Sequence, residues 1–229
     1  MTSMAPLIIV NFKTYKEATG ENAVKMAKMC EAAAQKLKSK ARVAVAVQAA
    51  DIFRVASAVD KKLVDVFAQH IDANGQGKST GFVTAEAVRD AGATGTLINH
   101  AEHKITDIAK RIATAKAASL MVVVCAADVK EAAMIAGLDP LPACIAVEPP
   151  ELIGGKISVS KAKPELLTAA LEAVKEKAKS VRVLCGAGVN SRQDVQKALE
   201  LGTEGILVAT AVVLAKDPES ALLELISGI

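Results

Sequence analysis

Two hydrophobic patterns alternate along the chain. Short apolar runs recur at 7–12 (LIIVNF), 42–47 (RVAVAV), 64–69 (VDVFAQ), 95–100 (GTLINH), 120–126 (LMVVVCA), 144–149 (CIAVEP), 181–186 (VRVLCG) and 205–210 (GILVAT). Their apolar character is nearly continuous, which predicts strands buried on both faces and so paired in parallel. Between them, segments 22–37, 84–92, 107–117, 164–178, 191–202 and 217–226 carry apolar residues at helical spacing. Pro164 suits the first turn of its helix, and Gly92 and Gly202 fall where helices should end.

About eight strand–helix units result. They predict an α/β fold, and a closed (β/α)8 barrel in preference to an open doubly wound sheet, which usually has fewer strands. The open sheet is further weakened because no GxGxxG follows the first strand. GAGVNS (186–191) has Ser in the third glycine position and follows the seventh strand. No linker-like stretch or long charge run divides the chain, so residues 1–229 are expected to form a single barrel domain.

Composition removes several classes of function. The net charge is only +3, lysines are spread over helix faces, and aromatics are 2% with no Trp. Neither a basic groove nor a stacking platform is available, so nucleic acid is not an expected partner. No apolar stretch reaches ~18 uninterrupted residues, so no membrane span is expected. The N-terminal MTSMAPLIIVNFK has no basic region and too short an apolar run for a secretory leader, which makes a cytoplasmic location the expectation. Cys30, Cys125, Cys144 and Cys185 show no CxxC spacing and read as buried free thiols.

In a (β/α)8 barrel, active sites form where the strands end. The first strand ends near Asn11 and Lys13, the fourth near His100 and Glu102, and the sixth at Glu148. The seventh and eighth end in small residues: Gly186, Gly188, Ala209 and Thr210. Each polar residue has an ordinary reading as well. Lys13 is compatible with a solvated loop, His100 with a hydrogen-bonded structural role, and Glu102 with the first turn of a helix. Glu148 is harder to dismiss, because a carboxylate ending an apolar strand is desolvated unless it is paired or has chemistry to do. An amine, an imidazole and a carboxylate at one barrel mouth make an acid–base set.

In order along the chain, these motifs resemble those of the triosephosphate isomerase family. NFKTY (11–15) resembles its Asn-x-Lys motif, LINHAEHK (97–104) its His-Ser-Glu motif, and AVEPPELIGG (146–155) its Glu-Pro signature and following lid. CGAGVNS (185–191) and GILVATAVV (205–213) resemble its two phosphate-binding turns. NHAEH, EPPELIG and SKAKPE look like the compact archaeal-type branch. The resemblance implies interconversion of dihydroxyacetone phosphate and glyceraldehyde 3-phosphate through an enediolate, with a small phosphorylated triose as partner and neither metal nor organic cofactor. It makes Glu148 the base, His100 a neutral electrophile, Lys13 the cation stabilising negative charge, and Asn11 an orienting residue. Glu102 would pair with Lys13. Backbone N–H groups of Gly154, Gly188, Ala209 and Thr210 would hold the phosphate, where small residues allow close approach. Helix N–H groups just after His100 are expected to keep it neutral.

Some positions depart from the family pattern. Ala101 stands where Ser is usual, and Gly155-Lys156 stands where archaeal-type members commonly have Thr-Gly. Thr80, in GKSTG (77–81), matches the loop that completes a neighbour's site, which implies a homo-oligomer, with a tetramer favoured over a dimer. Two rival readings are another phosphosugar barrel enzyme and a non-catalytic phosphosugar-binding protein. The first does not need His100, Glu102 and Glu148 together. The second is expected to lose Lys13, His100 or Glu148, and all three are present.

Overall fold

The computed structural model describes residues 5–37, 40–155 and 158–229. Eight parallel strands pair in sequence order and close on themselves, β1 with β8. The first half of the chain runs β1 (Leu7–Asn11), α1 (Glu21–Lys36), β2 (Arg42–Val47), α2 (Ile52–Ala58), β3 (Val64–Ala68), α3 (Ala85–Asp90), β4 (Gly95–Ile98) and α4 (Ile108–Ala117). The second half runs β5 (Met121–Ala126), α5 (Val129–Ile135), β6 (Cys144–Val147), α6 (Val159–Ala162), α7 (Pro164–Lys177), β7 (Arg182–Cys185), α8 (Arg192–Glu200), β8 (Gly205–Val208), α9 (Thr210–Val213) and α10 (Pro218–Ile226). The fold is the (β/α)8 barrel that the pattern predicts.

The near-continuous apolar strands follow from this closure. Side chains alternate between faces along a strand. Leu7 and Ile9 therefore fill the barrel interior with Ala44, Ala46, Phe67, Leu97, Val123, Leu184 and Leu207. Ile8 and Val10 face outward into the layer shared with the helices. Small interior residues such as Ala44 and Ala46 leave room for Phe67, and Gly95 is needed beside that ring: a Cβ there would lie 2.6 Å from it.

Six strands stop short of their expected C-terminal ends. Phe12, Gln69, Asn99–His100, Glu148–Pro149, Gly186 and Ala209–Thr210 lie beyond the ladder, and Thr210 opens α9 instead of closing a strand. The strands end where the backbone turns across the barrel mouth, although the apolar composition carries on. Helices α2, α5, α6 and α9 are missing from the sequence reading. At four to seven residues they complete too few turns to display a helical period. All four cysteines are free and buried, with Cys125 and Cys144 inside the barrel.

Candidate active site

Glu148 is the first residue past β6, and its N–H donates to the Ala126 carbonyl (2.8 Å). That bond carries the strand direction one residue further and holds the carboxylate inside the mouth, 3% exposed. Gly186, at the end of β7, makes room for it: a Cβ on Gly186 would lie 2.4 Å from Glu148 Cγ. Glu148 Oε2 has no hydrogen-bond partner among the described residues. Burial pushes the carboxyl up to about 7, against smaller opposing effects of the Cys125 thiol and the Lys13 ammonium. A carboxyl so placed exchanges a proton near neutral pH.

His100 follows β4 and is 8% exposed. Its Nδ1 accepts the Glu102 N–H at 3.2 Å. That contact assigns the proton to Nε2, the nitrogen 3.7 Å from Glu148 Oε1. Burial lowers the imidazole pKa; Lys13 and Lys104 act in the same direction and Glu102 in the opposite one. The expected helix N–H groups are not the cause. His100 is followed by a turn closed by His103 N–H to its carbonyl (2.8 Å), and α4 starts only at Ile108. Glu102 accordingly lies in this turn and not in a helix.

Asn99 supports the turn. It adopts φ 60, a conformation that asparagine tolerates better than most residues. Its side chain donates to Cys125 O and Glu131 Oε1, both at 2.8 Å, and accepts from Ile105 N–H (3.2 Å).

Lys13 also has positive φ (48), a costly conformation that persists only where its surroundings enforce it. Its N–H donates to Asn11 Oδ1 (3.0 Å), and the Gln69 amide nitrogen lies 2.8 Å from its carbonyl, 3.2 Å from Asn11 Oδ1 and 3.1 Å from Ala46 O. So held, Lys13 Nζ meets Glu102 Oε1 at 2.6 Å.

Asn11, Lys13, His100 and Glu148 line one pocket together with Gly154, Gly188, Ala209 and Thr210. Glu102 lies just outside, through its pair with Lys13. The eight pocket-lining residues proposed from sequence are thus brought together. Among the described residues, the N–H groups of Gly154, Gly188, Ala209 and Thr210, all in pocket-lining residues, donate to no other group. Gly154 (φ 69) and Gly188 (φ 66) use a backbone region that favours glycine.

The segment after Glu148 forms a single 3-10 turn, Pro150–Leu152, and Gly155 N–H returns to Leu152 O (3.0 Å). Ile153, Gly154 and Gly155 line the pocket. Lys156 lies outside the described residues.

Several residues at the site escaped the sequence reading. Gln69 pins Asn11 and Lys13. It ends an apolar strand, the criterion that identified Glu148, and the same criterion could have found it. Asn190 donates from Nδ2 to Gly155 O (3.0 Å) and Gly188 O (2.6 Å), tying the segment over the pocket to the seventh turn. Its position in a loop gave no signal. Among the described residues, no cluster of His, Cys, Asp and Glu has the arrangement of a metal site.

The family model for triosephosphate isomerase matches residues 6–228. The triosephosphate isomerase of Methanothermus fervidus is 48% identical over 97% of this chain and 98% of its own length. Those of Archaeoglobus fulgidus (44%; 96% of each chain) and Methanosarcina acetivorans (43%; 97% and 98%) are similar over comparable spans. Among solved structures, the triosephosphate isomerase of Bartonella henselae superposes with a TM-score of 0.73 over 94% of this chain and 97% of that one. At 19% identity that likeness speaks for the fold alone.

Proposed function

The chain belongs to the triosephosphate isomerase family and interconverts dihydroxyacetone phosphate and D-glyceraldehyde 3-phosphate, and on that premise we propose how its residues divide the work. Triosephosphate isomerase is itself the standard example of a carboxylate base acting with a neutral histidine, so these roles come to the chain with its family. Glu148 moves the proton between adjacent carbons. His100, neutral and protonated on Nε2, donates to the substrate oxygen on which charge develops. Lys13 offsets that charge, and Asn11 orients Lys13 and the substrate. Glu102 holds the ammonium from the other side.

The phosphate is held by the N–H groups of Gly154, Gly188, Ala209 and Thr210. One observation carries this reading: a buried carboxyl with a raised pKa faces the protonated nitrogen of a neutral imidazole, across 3.7 Å, in a pocket lined by four residues whose N–H groups have no acceptor among the described residues. A proton next to a carbonyl is too weakly acidic for a carboxylate unless the enediolate oxygen is stabilised in the same step. Base and electrophile are therefore needed together. The segment 150–155 excludes water from the reacting atoms. Neither metal nor organic cofactor takes part.

A coupled assay in both directions tests the division of roles. His100→Gln and Lys13→Ala are each expected to lower kcat/KM by at least about 100-fold, the scale of losing one positioned donor or charge. A variant within twofold of the unsubstituted enzyme removes that residue from its role.

The protein acts in the cytoplasm as a homo-oligomer, a tetramer in preference to a dimer. Among the described residues, no helix is long and apolar enough to cross a membrane. The loop around Thr80 is largely solvent-exposed and flanked by Phe82, itself 52% exposed. Beside the Lys13–Glu102 pair, Thr14, His70 and His103 line a second cleft, which a neighbour's loop would cover. Light scattering should report a dimer or tetramer at micromolar concentration. A fully active monomer contradicts this assembly.

A further inference from the structure

The Asp194 carboxylate is 3% exposed and serves two segments far apart in sequence. Oδ2 accepts from Asn190 N–H (3.0 Å), Ser191 N–H (2.9 Å) and Ser191 Oγ (2.8 Å), at the end of the turn that carries Gly188. Oδ1 accepts from Ser158 Oγ (2.9 Å) and pairs with Lys161 Nζ (2.8 Å), both beyond the segment that covers the pocket. Two further bonds follow the same seam: Val159 N–H to Ala187 O (3.1 Å) and Ser160 Oγ to Asp194 O (3.2 Å). Burial alone would raise this carboxyl. The bonds from Lys161, Asn190, Ser191 and Ser158 outweigh it and hold the group below its ordinary range, ionised throughout the neutral region.

Part of this is an ordinary helix start. Ser191 caps α8, and Asp194 completes a capping box with it. A capping box needs only Oδ2 and the Ser191 contacts. It gives no reason for Oδ1 to take a buried bond from Ser158, which lies 36 residues away. A helix cap also has no need of Asn190, whose backbone N–H binds Asp194 while its side chain binds Gly155 O and Gly188 O. Gly155 follows the proposed phosphate donor Gly154, and Gly188 is itself one of those donors. Asp194 thus connects both the covering segment and the seventh turn to one buried charge.

We propose that Asp194 is a positioning residue for phosphate recognition: its two oxygens set the spacing between Gly154 on the covering segment and Gly188 on the seventh turn, so that both N–H groups meet one phosphate. This rests on the assignment of those N–H groups to the phosphate. The side chain is not among the pocket-lining residues, and its effect passes through Asn190, whose side chain holds Gly155 O and Gly188 O, and through the Ser158 bond behind the covering segment.

The test is inhibition by inorganic phosphate, measured with the KM for D-glyceraldehyde 3-phosphate and thermal melting. Asp194→Asn keeps the size of the side chain but turns an acceptor oxygen into a donor that cannot serve the same N–H and O–H groups. It should raise the phosphate inhibition constant and the KM together by about tenfold, the cost of one charge-assisted hydrogen bond. The acid limb of the kcat profile should stay at its pH, because Glu148 is untouched. Ser158→Ala keeps the capping box and the Lys161 pair and removes the Ser158 bond to Oδ1 together with its contact to Ser160 Oγ, so a rise of about threefold in both constants is expected with little change in melting.

A purely structural role for Asp194 would lower the melting temperature and the active fraction and leave KM and the phosphate constant within twofold in both variants. That result overturns the proposal, and Ser158→Ala still decides the matter if Asp194→Asn fails to fold. If phosphate does not compete with substrate in the unsubstituted protein, the phosphate assignment itself falls and the inference falls with it. Normal competition with unaltered constants in the variants removes the inference alone.

Discussion

His100 Nε2 and Glu148 Oε1 face each other across 3.7 Å, both buried and each with its charged form disfavoured. The distance is too long for a hydrogen bond. At neutral pH the pair is therefore no ordinary ion pair. The Nε2–H of His100 and the Oε2 of Glu148, which has no partner among the described residues, stay open to a third molecule that touches both side chains.

His100 should accordingly stay neutral where an exposed imidazole titrates. Ring-nitrogen NMR is expected to show Nε2 protonated and Nδ1 unprotonated at pH 7, with no titration near the unperturbed ~6.5. Ordinary titration there would remove the neutral-donor role.

The raised Glu148 pKa predicts both a rate profile and a stability profile. Between its ordinary 4.5 and about 7, the folded protein holds a proton that the unfolded chain has released. The contribution of Glu148 to stability should therefore fall as pH rises through this window and level off above it, by about 3 kcal/mol at most, while the lowered imidazole of His100 contributes in the opposite sense. Glu148→Gln should remove that contribution, so its melting temperature gains on that of the unsubstituted protein as pH rises from about 5 to 8. In the same window kcat/KM should rise with pH as one proton is lost. A stability difference between Glu148→Gln and the unsubstituted protein that stays constant from about pH 5 to 8 contradicts the buried-carboxyl account.

Gly186 holds open the space that Glu148 occupies. Gly186→Ala places a methyl 2.4 Å from Glu148 Cγ and 3.1 Å from the Val147 carbonyl. The carboxylate must move. A loss of at least about tenfold in kcat is expected, with a destabilisation of roughly 1–3 kcal/mol. Unchanged kcat would mean that the base tolerates displacement and that Gly186 is not required by it.

The barrel and most of its mouth were legible in the sequence for one reason: closure buries both strand faces, so any polar residue at a strand end stands out. Asn11, His100 and Glu148 were visible in this way. The same signal ran past the strand ends and assigned Thr210 to a strand when it opens a helix. The tertiary bonds that aim these residues were not legible. Gln69 reaching Lys13 O, Asn190 reaching Gly155 O and Ser158 reaching Asp194 each join segments whose proximity exists only after the barrel closes. Helix N–H groups just after His100 were expected to keep it neutral, but α4 starts only at Ile108, where the apolar spacing had already placed it, and a non-helical turn intervenes. Burial and two lysines, and no helix start, lower its pKa.

The most direct measurement is steady-state kinetics of Glu148→Asp, which keeps the carboxyl and withdraws it by one methylene. If Glu148 is the base, kcat falls by roughly 10²–10³-fold while KM changes little, because proton transfer depends on reach whereas phosphate and Lys13 contacts are unaffected. Retention of more than about half the activity contradicts the account, since a base held this tightly cannot be shortened without losing its proton.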